Sequence, residues 1–225
     1  MSRQNLNDGI RRESPLVGFE LEQQITRRPG KAGVLMGELP FQGFVNLRGD
    51  PEDDVFLKAV AGVLGADLPV APNTVAEGDG VVAYWLGPDE WLLATAPDGQ
   101  GELERRLRGA LEGQHTAVTD ITGGQTVIVI QGSHGAELLA KATPLDIHPR
   151  VFGVGQCAQT RLAKAGGLIR PLEGGGFELV VRRSFADYLW LWLRDAAQEY
   201  GLAVVEPAQP RVQSNVTPLS RSASA

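Results

Sequence analysis

The stretch RRSFADYLWLWL, residues 182–193, carries an unbroken apolar run at 188–193 in an otherwise acidic chain. Ser184 and Asp187, three residues apart, resemble a capping box with a shorter acid. The chain continues as RDAAQEYG, in which good helix formers lead to a glycine typical of a helix end. The sequence therefore predicts a helix that Ser184 caps and that stops at Gly201.

This apolar run needs cover on more than one side. At about 100° per residue, six consecutive apolar residues point in all directions around a helix axis, whereas a surface helix needs only a stripe. A strand would place Tyr188, Trp190 and Trp192 on one face and three leucines on the other, which also requires burial on two faces. Either structure leaves open whether the cover is the fold interior or a partner.

Composition excludes several classes of function. A chain of 225 residues with 43% hydrophobic content can bury a real core, as one large domain or two small ones. Its 21 basic and 27 acidic residues give a net charge of −6, which offers no basic field to nucleic acid or anionic lipid. Cys157 is the single cysteine, so an internal disulfide is excluded, and His115, His134 and His148 lack the spacing of a zinc site.

The two ends differ from the middle of the chain. The polar N-terminus lacks the apolar core of a signal peptide, and no later run is long enough to span a membrane, so we expect a cytoplasmic protein. We expect a flexible tail at 1–13 and a disordered tail at 206–225, which is rich in Pro, Ser and Gln. The domain between them is 14–205, with two possible subdomains, 14–115 and 116–205.

Short strands and capped helices alternate along this domain. The alternation of Val17, Phe19 and Leu21 predicts a strand, and 43–47 is another. The segment DPEDD at 50–54 predicts a helix start with an Asp cap and Pro at its first position, and this helix runs to Leu64 and stops at Gly65.

Two further elements follow from turn residues and spacing. The apolar runs 81–86 and 90–95, joined by Gly-Pro-Asp at 87–89, predict a hairpin. Leucines at 103, 107 and 111 predict a helix closed by Gly113.

A weak internal repeat then appears. Glycines 123–124 precede a strand at 126–130 and a helix capped by Ser133 that runs to 141, and glycines 174–176 precede a strand at 177–181 and the helix capped by Ser184. Such units leave one sheet face for helices to cover. The predicted fold class is α+β, with mainly antiparallel sheets and packed helices.

Candidate chemistry is sparse. The letters GVGQCA at 153–158 match a dinucleotide fingerprint, but no apolar strand precedes them and Gly166-Gly167 would interrupt the helix that should follow, so we predict a plain loop. Cys157 lies among small and apolar residues, which indicates a buried, inert thiol.

Asp146 and His148 would share one side of an extended segment, where the carboxylate could orient a general base. We prefer the alternative that both satisfy loop amides or contact a partner, because no nucleophile, second acid or metal motif accompanies them.

Three other groups have two possible roles. Asp120 and Thr122 are typical of side-chain caps on a tight turn, with a ligand contact as the alternative. Arg182 and Arg183 could bind an anion, such as a partner carboxylate or the polyglutamate of a folate, or one could face solvent while the other is paired. Trp85 and Trp91 could anchor a partner or pack in the core. A chain with these aromatics and no convergent chemistry is more plausibly a subunit or binding module than a free enzyme.

Seven strings resemble the γ subunit of heterotetrameric sarcosine oxidase, in order along about 14–200. They are NLRGDP (46–51), PNT (72–74), WLGPDEWLL (85–93), DITGG (120–124), PLDIHPR (144–150), AQT (158–160) and RRSFADYLW (182–190). The resemblance implies the folate-binding aminomethyltransferase (YgfZ-like) fold. It also implies a place in an αβγδ enzyme that oxidises sarcosine to glycine with oxygen, giving hydrogen peroxide and formaldehyde or methylenetetrahydrofolate.

The resemblance further implies partners and an absence of sites. FAD, FMN, NAD, zinc and tetrahydrofolate are expected on the α, β and δ subunits, and this chain is expected to contact chiefly the large α subunit. No catalytic, cofactor-binding or metal residue is carried over. The candidate partner interface is Trp85, Trp91, His148, Arg150, Arg183, Tyr188, Trp190 and Trp192. We expect the helix after Ser184 to place one apolar side on its own sheet and the other, with Tyr188 or one of Trp190 and Trp192, on a partner. The alternative cover for that second side is the opposite half of this chain.

A different function remains possible. The chain could be a free-standing, folate-binding one-carbon transfer protein of the aminomethyltransferase type. Asp120, Asp146 and Arg182 would then be the ligand contacts.

Overall fold

The structure, a computed structural model, describes residues 12–26 and 29–207. Within these residues the strands are β1 Val34–Leu39, β2 Gly43–Arg48, β3 Val75–Glu77, β4 Val81–Gly87, β5 Glu90–Thr95, β6 Ala117–Asp120, β7 Gln125–Gln131, β8 Ala158–Leu162, β9 Ala165–Pro171, β10 Phe177–Arg182 and β11 Leu202–Val204. The helices are α1 Leu21–Gln24, α2 Asp54–Leu64, α3 Gln100–Ala110, α4 Gly135–Ala142 and α5 Arg183–Ala196. The predicted tails fall largely outside the described part.

Two sheets form four layers with the helices. Sheet I has the order β3-β4-β5-β2-β6, and sheet II has the order β11-β1-β7-β10-β9-β8. Helices α2 and α3 pack on the outer face of sheet I, and α4 and α5 pack on the outer face of sheet II. The inner faces meet in an apolar layer that includes Phe44, Val82, Leu92, Val127 and Val180. The α+β class is confirmed, and the strand pairs are antiparallel except for β1 with β11.

The two sheets repeat one topology. The order β2-α2-β3-β4-β5-α3-β6 in sheet I recurs as β7-α4-β8-β9-β10-α5-β11 in sheet II, with β1 inserted between β7 and β11. The repeat predicted from glycines and strands matched β7-α4 with β10-α5. These are two parts of the same unit, so the structural repeat is longer than the sequence pattern indicated.

Helix α5 is one-sided rather than apolar all round. Leu189, Trp190 and Leu193 are buried against sheet II and α4, and Tyr188 and Trp192 are half-buried against the same cluster. Leu191 is the member of the run that remains 42% exposed. The predicted helix is therefore confirmed, and most of its cover comes from its own chain. Its end was predicted at Gly201, but α5 stops at Ala196 and a 3₁₀ turn, Gln198–Tyr200, leads to the glycine.

Several other predicted elements are confirmed. The β4–β5 hairpin pairs Trp85 directly with Trp91. Helix α3 buries Leu103 and Leu107. Helix α2 ends at Gly65, whose φ of 72° suits glycine and whose N–H donates to the Ala61 carbonyl.

The predicted helix starts were wrong by a few residues. Asp53, not Asp50, caps α2 by accepting from the Val55 N–H at 2.8 Å, while Asp50 accepts from the Glu52 N–H in the turn before it. Residue 133 does not cap α4, whose first turn follows His134 without a side-chain cap.

Ser184 is the second residue of α5 rather than its cap. The Arg183 N–H donates to the Gly124 carbonyl at 2.9 Å, so a turn of a neighbouring segment fixes the helix start. Such a long-range contact is invisible to local capping rules.

The strand predicted from Val17, Phe19 and Leu21 is also wrong. A 3₁₀ turn, Val17–Phe19, and the short α1 replace it, separated by Glu20 in a left-handed conformation with φ of 49°. The Ser14 carbonyl and hydroxyl accept the N–H groups of Val17 and Leu16, which starts the turn. Local side-chain bonding thus overrides the alternation.

A buried polar cluster joins the sheets. Arg170 on β9 donates to Glu178 on β10 at 3.1 Å and to Glu77 on β3 at 2.6 Å, and the Tyr84 hydroxyl on β4 donates to Glu178. Arg170 and Glu178 are both nearly inaccessible to solvent. Burial raises the pKa of Tyr84 well above its usual value, and the Glu178 carboxylate adds to this. Arg170 and Glu178 are therefore each held by partners from both sheets.

We expect Arg170→Met to destabilise the chain by about 3–5 kcal/mol, because it leaves the Glu178 carboxylate buried without its cation. Urea unfolding followed by circular dichroism measures this change. Arg105→Met, which removes an exposed arginine paired with Glu102, is the matched control and should change the free energy of unfolding by less than about 1 kcal/mol. Equal effects of the two variants would contradict the structural role of the cluster.

Glu38 on β1 ties the N-terminal segment to sheet II. Its carboxylate accepts from the hydroxyls of Ser14 and Thr126. Burial raises the pKa of Glu38 above the ordinary 4.5, and the two hydroxyl bonds oppose this only in part. The protonated form is thus favoured in the folded state, and its stabilising contribution is complete below pH 4.5 and is lost as the pH rises through the folded pKa.

We therefore expect the Glu38→Gln variant to gain stability relative to the parent chain as the pH rises from 4 to 7, because glutamine does not ionise. The measurement is the difference in free energy of unfolding between the two proteins across this range. A Glu22→Gln exchange at an exposed position should give a flat difference. If the free energy of unfolding of Glu38→Gln minus that of the parent chain falls as the pH rises, the raised pKa of Glu38 is contradicted.

Candidate functional site

An inter-sheet cleft lies at one end of the sandwich and is lined by residues of both sheets. Its volume is about 480 Å³, and its floor is apolar, formed by Leu92, Leu168 and Val180. The walls are polar and come from both sheets, from Asn46, Glu90, Gln125, Gln159, Thr160 and Arg182. Phe185, in the first turn of α5, stands at the rim and is 42% exposed.

The two walls differ in charge. On the sheet I side, Glu90 accepts from the Asn46 amide at 2.8 Å. On the sheet II side, Arg182 is exposed and has no ion pair or hydrogen bond from its side chain within the described part of the chain. The cleft therefore presents an available guanidinium above an apolar floor.

Arg183 occupies a different place from Arg182. Its guanidinium donates to the Glu13 carbonyl at 2.8 Å and lines a second cavity of about 420 Å³ with Arg12, Asp120 and Gln125. Asp120 accepts from the Thr122 N–H at 2.8 Å, and the Thr122 hydroxyl accepts from the Phe44 N–H at 2.9 Å. Asp120 thus caps the turn between β6 and β7, as predicted, whereas the Thr122 hydroxyl joins this turn to strand β2.

Asp146 and His148 bind their own loop. The Asp146 carboxylate accepts from the His148 N–H at 3.0 Å, and His148 Nδ1 accepts from the Arg150 N–H at 3.2 Å. The carboxylate does not contact the imidazole in these bonds. Asp146 lines neither cavity described above, so no one of these cavities brings Asp120, Asp146 and Arg182 together.

The tryptophans divide into two groups. Trp91 and Trp190 are buried in the cores beneath sheet I and sheet II, and the Trp91 indole donates to the Pro69 carbonyl at 2.7 Å. The prediction that Trp91 and Trp190 contact a partner is therefore wrong, because the chain itself covers both side chains. Trp85 and Trp192 are half-buried at the edges of these cores.

His148 and Arg150 are exposed on the loop between α4 and β8. The same loop exposes Val151 by 60% and Val154 by 59%. The glycine-rich letters that follow lead into strand β8 rather than a helix, which confirms that they do not form a dinucleotide site.

Cys157 is a buried thiol without a catalytic neighbour. It is inaccessible to solvent, and its Sγ lies 3.4 Å from the Thr74 carbonyl and 3.7 Å from the Trp85 carbonyl. Burial raises the pKa of the Cys157 thiol to about 11. The prediction that the Cys157 thiol is buried is confirmed, and its low reactivity stays a prediction.

The described part of the chain contains neither a metal-binding cluster nor a helix that could span a membrane. Residues 12–26 and 29–207 contain no group of three or more His, Cys, Asp or Glu side chains that could hold a metal ion. The helices in the same residues are too short or too polar to cross a bilayer.

Sequence reasoning identified Arg182 but missed the rest of the cleft. The local pattern does not identify Gln125, Gln159 or Phe185, because it does not show which face of their strand or helix lines the cleft. The signal that could have found them is polar residues at the inward-facing positions of strand ends, and it becomes visible only once the strand pairing is known.

Comparison with known proteins gives one consistent result. The profile of the sarcosine oxidase, gamma subunit family matches residues 48–199. The γ subunit of sarcosine oxidase from Corynebacterium sp. strain U-96 is 33% identical over 196 residues, covering 86% of this chain and 94% of the relative. The γ subunit from an Arthrobacter species is 34% identical over 173 residues, covering 76% and 84%.

Solved structures agree with the sequence matches. A chain of the heterotetrameric sarcosine oxidase of Corynebacterium sp. U-96, in complex with pyrrole 2-carboxylate, superposes with a TM-score of 0.74 at 31% identity, over 88% of this chain and 99% of that one. The glycine cleavage system aminomethyltransferase T of Bartonella henselae superposes with a TM-score of 0.59 at 14% identity, over 79% of this chain and 49% of that one. This second likeness shows a shared fold.

The Cys157 thiol should react with a thiol reagent such as dithionitrobenzoate only when the chain unfolds, because its burial blocks access and its pKa of about 11 leaves little thiolate at pH 8. We expect far less than one thiol per chain to react in the native protein within minutes, and one per chain in guanidinium. Rapid stoichiometric labelling of the native chain would contradict this placement.

Proposed function

This chain belongs to the sarcosine oxidase, gamma subunit family, and we propose that it serves as a structural, non-catalytic γ subunit within a heterotetrameric sarcosine oxidase. The observation that carries the proposal is the superposition on a chain of such an enzyme over 99% of that chain's length. A likeness of this extent covers both sheets and all four layers, not a single motif.

The non-catalytic role is supported by how the chain uses its reactive groups. Arg170, Glu178 and Tyr84 bind one another between the sheets, and the Cys157 thiol is buried and protonated. Asp146, His148 and Asp120 accept backbone N–H groups of their own turns. A catalytic group needs a free acid, base or nucleophile beside a substrate cavity, and these side chains serve the fold instead.

The complex would oxidise sarcosine to glycine with oxygen, giving hydrogen peroxide and formaldehyde or methylenetetrahydrofolate. We propose that FAD, FMN, NAD, zinc and tetrahydrofolate bind the α, β and δ subunits rather than this chain. The γ subunit would then act by holding the large α subunit in its working arrangement.

The proposed contact surface has two parts. One is the loop between α4 and β8, where His148 and Arg150 flank exposed Val151 and Val154. The other is the exposed side of α5, with Arg183, Tyr188 and Trp192 around Leu191. Trp85 at the edge of sheet I is a further candidate. Apolar side chains beside arginine and aromatic rings are typical of interface centres.

Co-expression with the genes of the companion subunits tests the proposal. We expect the tagged chain to recover the flavin-containing α and β subunits in one complex with sarcosine oxidase activity, and we expect co-expression without this chain to lower the yield of assembled enzyme at least tenfold. Size-exclusion chromatography with a flavin spectrum gives the measurement. A tagged chain that recovers no companion, or an enzyme that assembles equally well without it, would contradict the proposal.

Tetrahydrofolate titration of the isolated chain tests the competing function. We expect no saturable binding at micromolar concentrations, because Asp120 is engaged in its turn and no cavity described above joins it to Arg182 and Asp146. Micromolar binding that is lost in both Asp120→Ala and Arg182→Ala would favour a folate-binding protein instead.

A further inference from the structure

The inter-sheet cleft has polar residues where a β-sandwich ordinarily has apolar ones. Along β10, Val180 faces the inner layer, and Arg182, two residues later, faces the same way. Along β9, Leu168 faces inward and so does Gly166, above which a Cβ would meet only open space. The inward-facing positions of β9 and β10 beyond the apolar layer therefore line the cleft.

Arg161 joins Arg182 on this wall. It pairs with Gly166 across β8 and β9, and it alternates with Gln159, which lines the cleft, so it lies on the inward-facing side of sheet II. Arg161 is exposed, and within the described residues its side chain has no ion pair or hydrogen bond. The inward-facing side of sheet II at this end thus carries two guanidiniums, Arg182 in the cleft wall and Arg161 opposite the lining residue Gly166, and neither forms an ion pair within the described residues.

We propose that this cleft is the docking site for an acidic segment of a companion subunit, whose carboxylates pair with Arg161 and Arg182. The inference rests on the proposed function, since it assigns the partner of the same chain. The guanidinium fork favours carboxylates, which it binds through two parallel hydrogen bonds.

The shape of the cleft suits a polypeptide. Its floor of Leu92, Leu168 and Val180 accepts an apolar side chain, and Phe185 at the rim offers an aromatic surface to a second one. On the opposite wall, Glu90 has hydrogen-bonding capacity beyond its bond to Asn46, which a backbone N–H of the incoming segment can use. A cationic wall, an acceptor wall and an apolar floor together match an extended segment with alternating side chains.

The charge of the whole chain makes this site selective. At a net charge of −6, most of the surface repels an acidic segment, whereas the local pair of arginines attracts it. Complementary charge of this kind guides docking and fixes its register. The cleft therefore orients the chain on its partner as well as binding it.

The test uses the full-length chain and the remaining subunits of the oxidase. Arg161→Glu/Arg182→Glu is compared with the parent chain by measuring the dissociation constant for reassembly at 50 and 300 mM salt. We expect the double variant to bind at least tenfold more weakly at low salt and to lose most of the salt dependence of the parent. A photo-crosslinking residue at Phe185 should attach to a peptide of a companion subunit that contains Asp or Glu.

Lys31→Glu is the matched control. It changes the charge by −2, as each of the two cleft exchanges does by itself, at an exposed site before β1, at the end of sheet II opposite to the cleft, and it should leave the dissociation constant within twofold. Circular dichroism and thermal unfolding should be the same for all variants, because the exchanged side chains are exposed. If Lys31→Glu weakens binding as much as the cleft variant, general repulsion explains the result and the proposal is overturned.

Two further outcomes separate this proposal from the function it rests on. If the parent chain binds no companion subunit, the proposed function fails. If the parent binds and the cleft variant binds equally well, the docking site alone is wrong. The isolated chain is also titrated with citrate and with inorganic phosphate. If it binds either anion saturably, the cleft variant loses that binding and reassembly is unchanged, the cleft is a site for a small anion and the proposal is overturned.

Discussion

Face-to-face packing of the two sheets is the constraint on which the structure depends. Each sheet buries one face against helices, so its inner face must be covered by the other sheet. The apolar layer does most of this, and the ion cluster of Arg170, Glu178 and Glu77 fixes how the sheets align. A buried ion pair adds less stability than an apolar contact of the same size, but it penalises every arrangement that separates its partners.

The repeated topology explains both the stability of the sandwich and its open end. Two copies of one strand-and-helix order give two sheets whose inner faces meet in the apolar layer. Strand β1 breaks the equivalence, because it precedes sheet I in the chain but is inserted into sheet II. The turn after β1 therefore carries the chain from one sheet to the other. Beyond the apolar layer, polar side chains from both sheets line the inter-sheet cleft.

The chemistry of the chain is distributed rather than convergent. Its buried ionisable groups neutralise one another, and its loop carboxylates accept hydrogen bonds from their own turns. The side chains that remain for contact with other molecules are exposed arginines, a few exposed aliphatic side chains and half-buried aromatic rings. These residue types recognise protein surfaces, and a subunit whose partners carry the reactive groups needs no others.

The sequence by itself determined the fold class, the hairpin, helices α2, α3 and α5, and the burial of Cys157, because these follow from periodicity, turn residues and local composition. The predicted caps of α4 and α5, Ser133 and Ser184, were wrong, because backbone contacts from elsewhere in the chain decide where these helices start. The strand predicted at Val17 was wrong because the nearby Ser14 bonds to the backbone and starts a turn there. Only the tertiary structure decided that Trp190 is covered by its own chain, and that Arg161 and Arg182 share one wall. The first depends on how α5 packs on sheet II and α4, and the second on the pairing of β8, β9 and β10. Spacing along the chain carries no information about either.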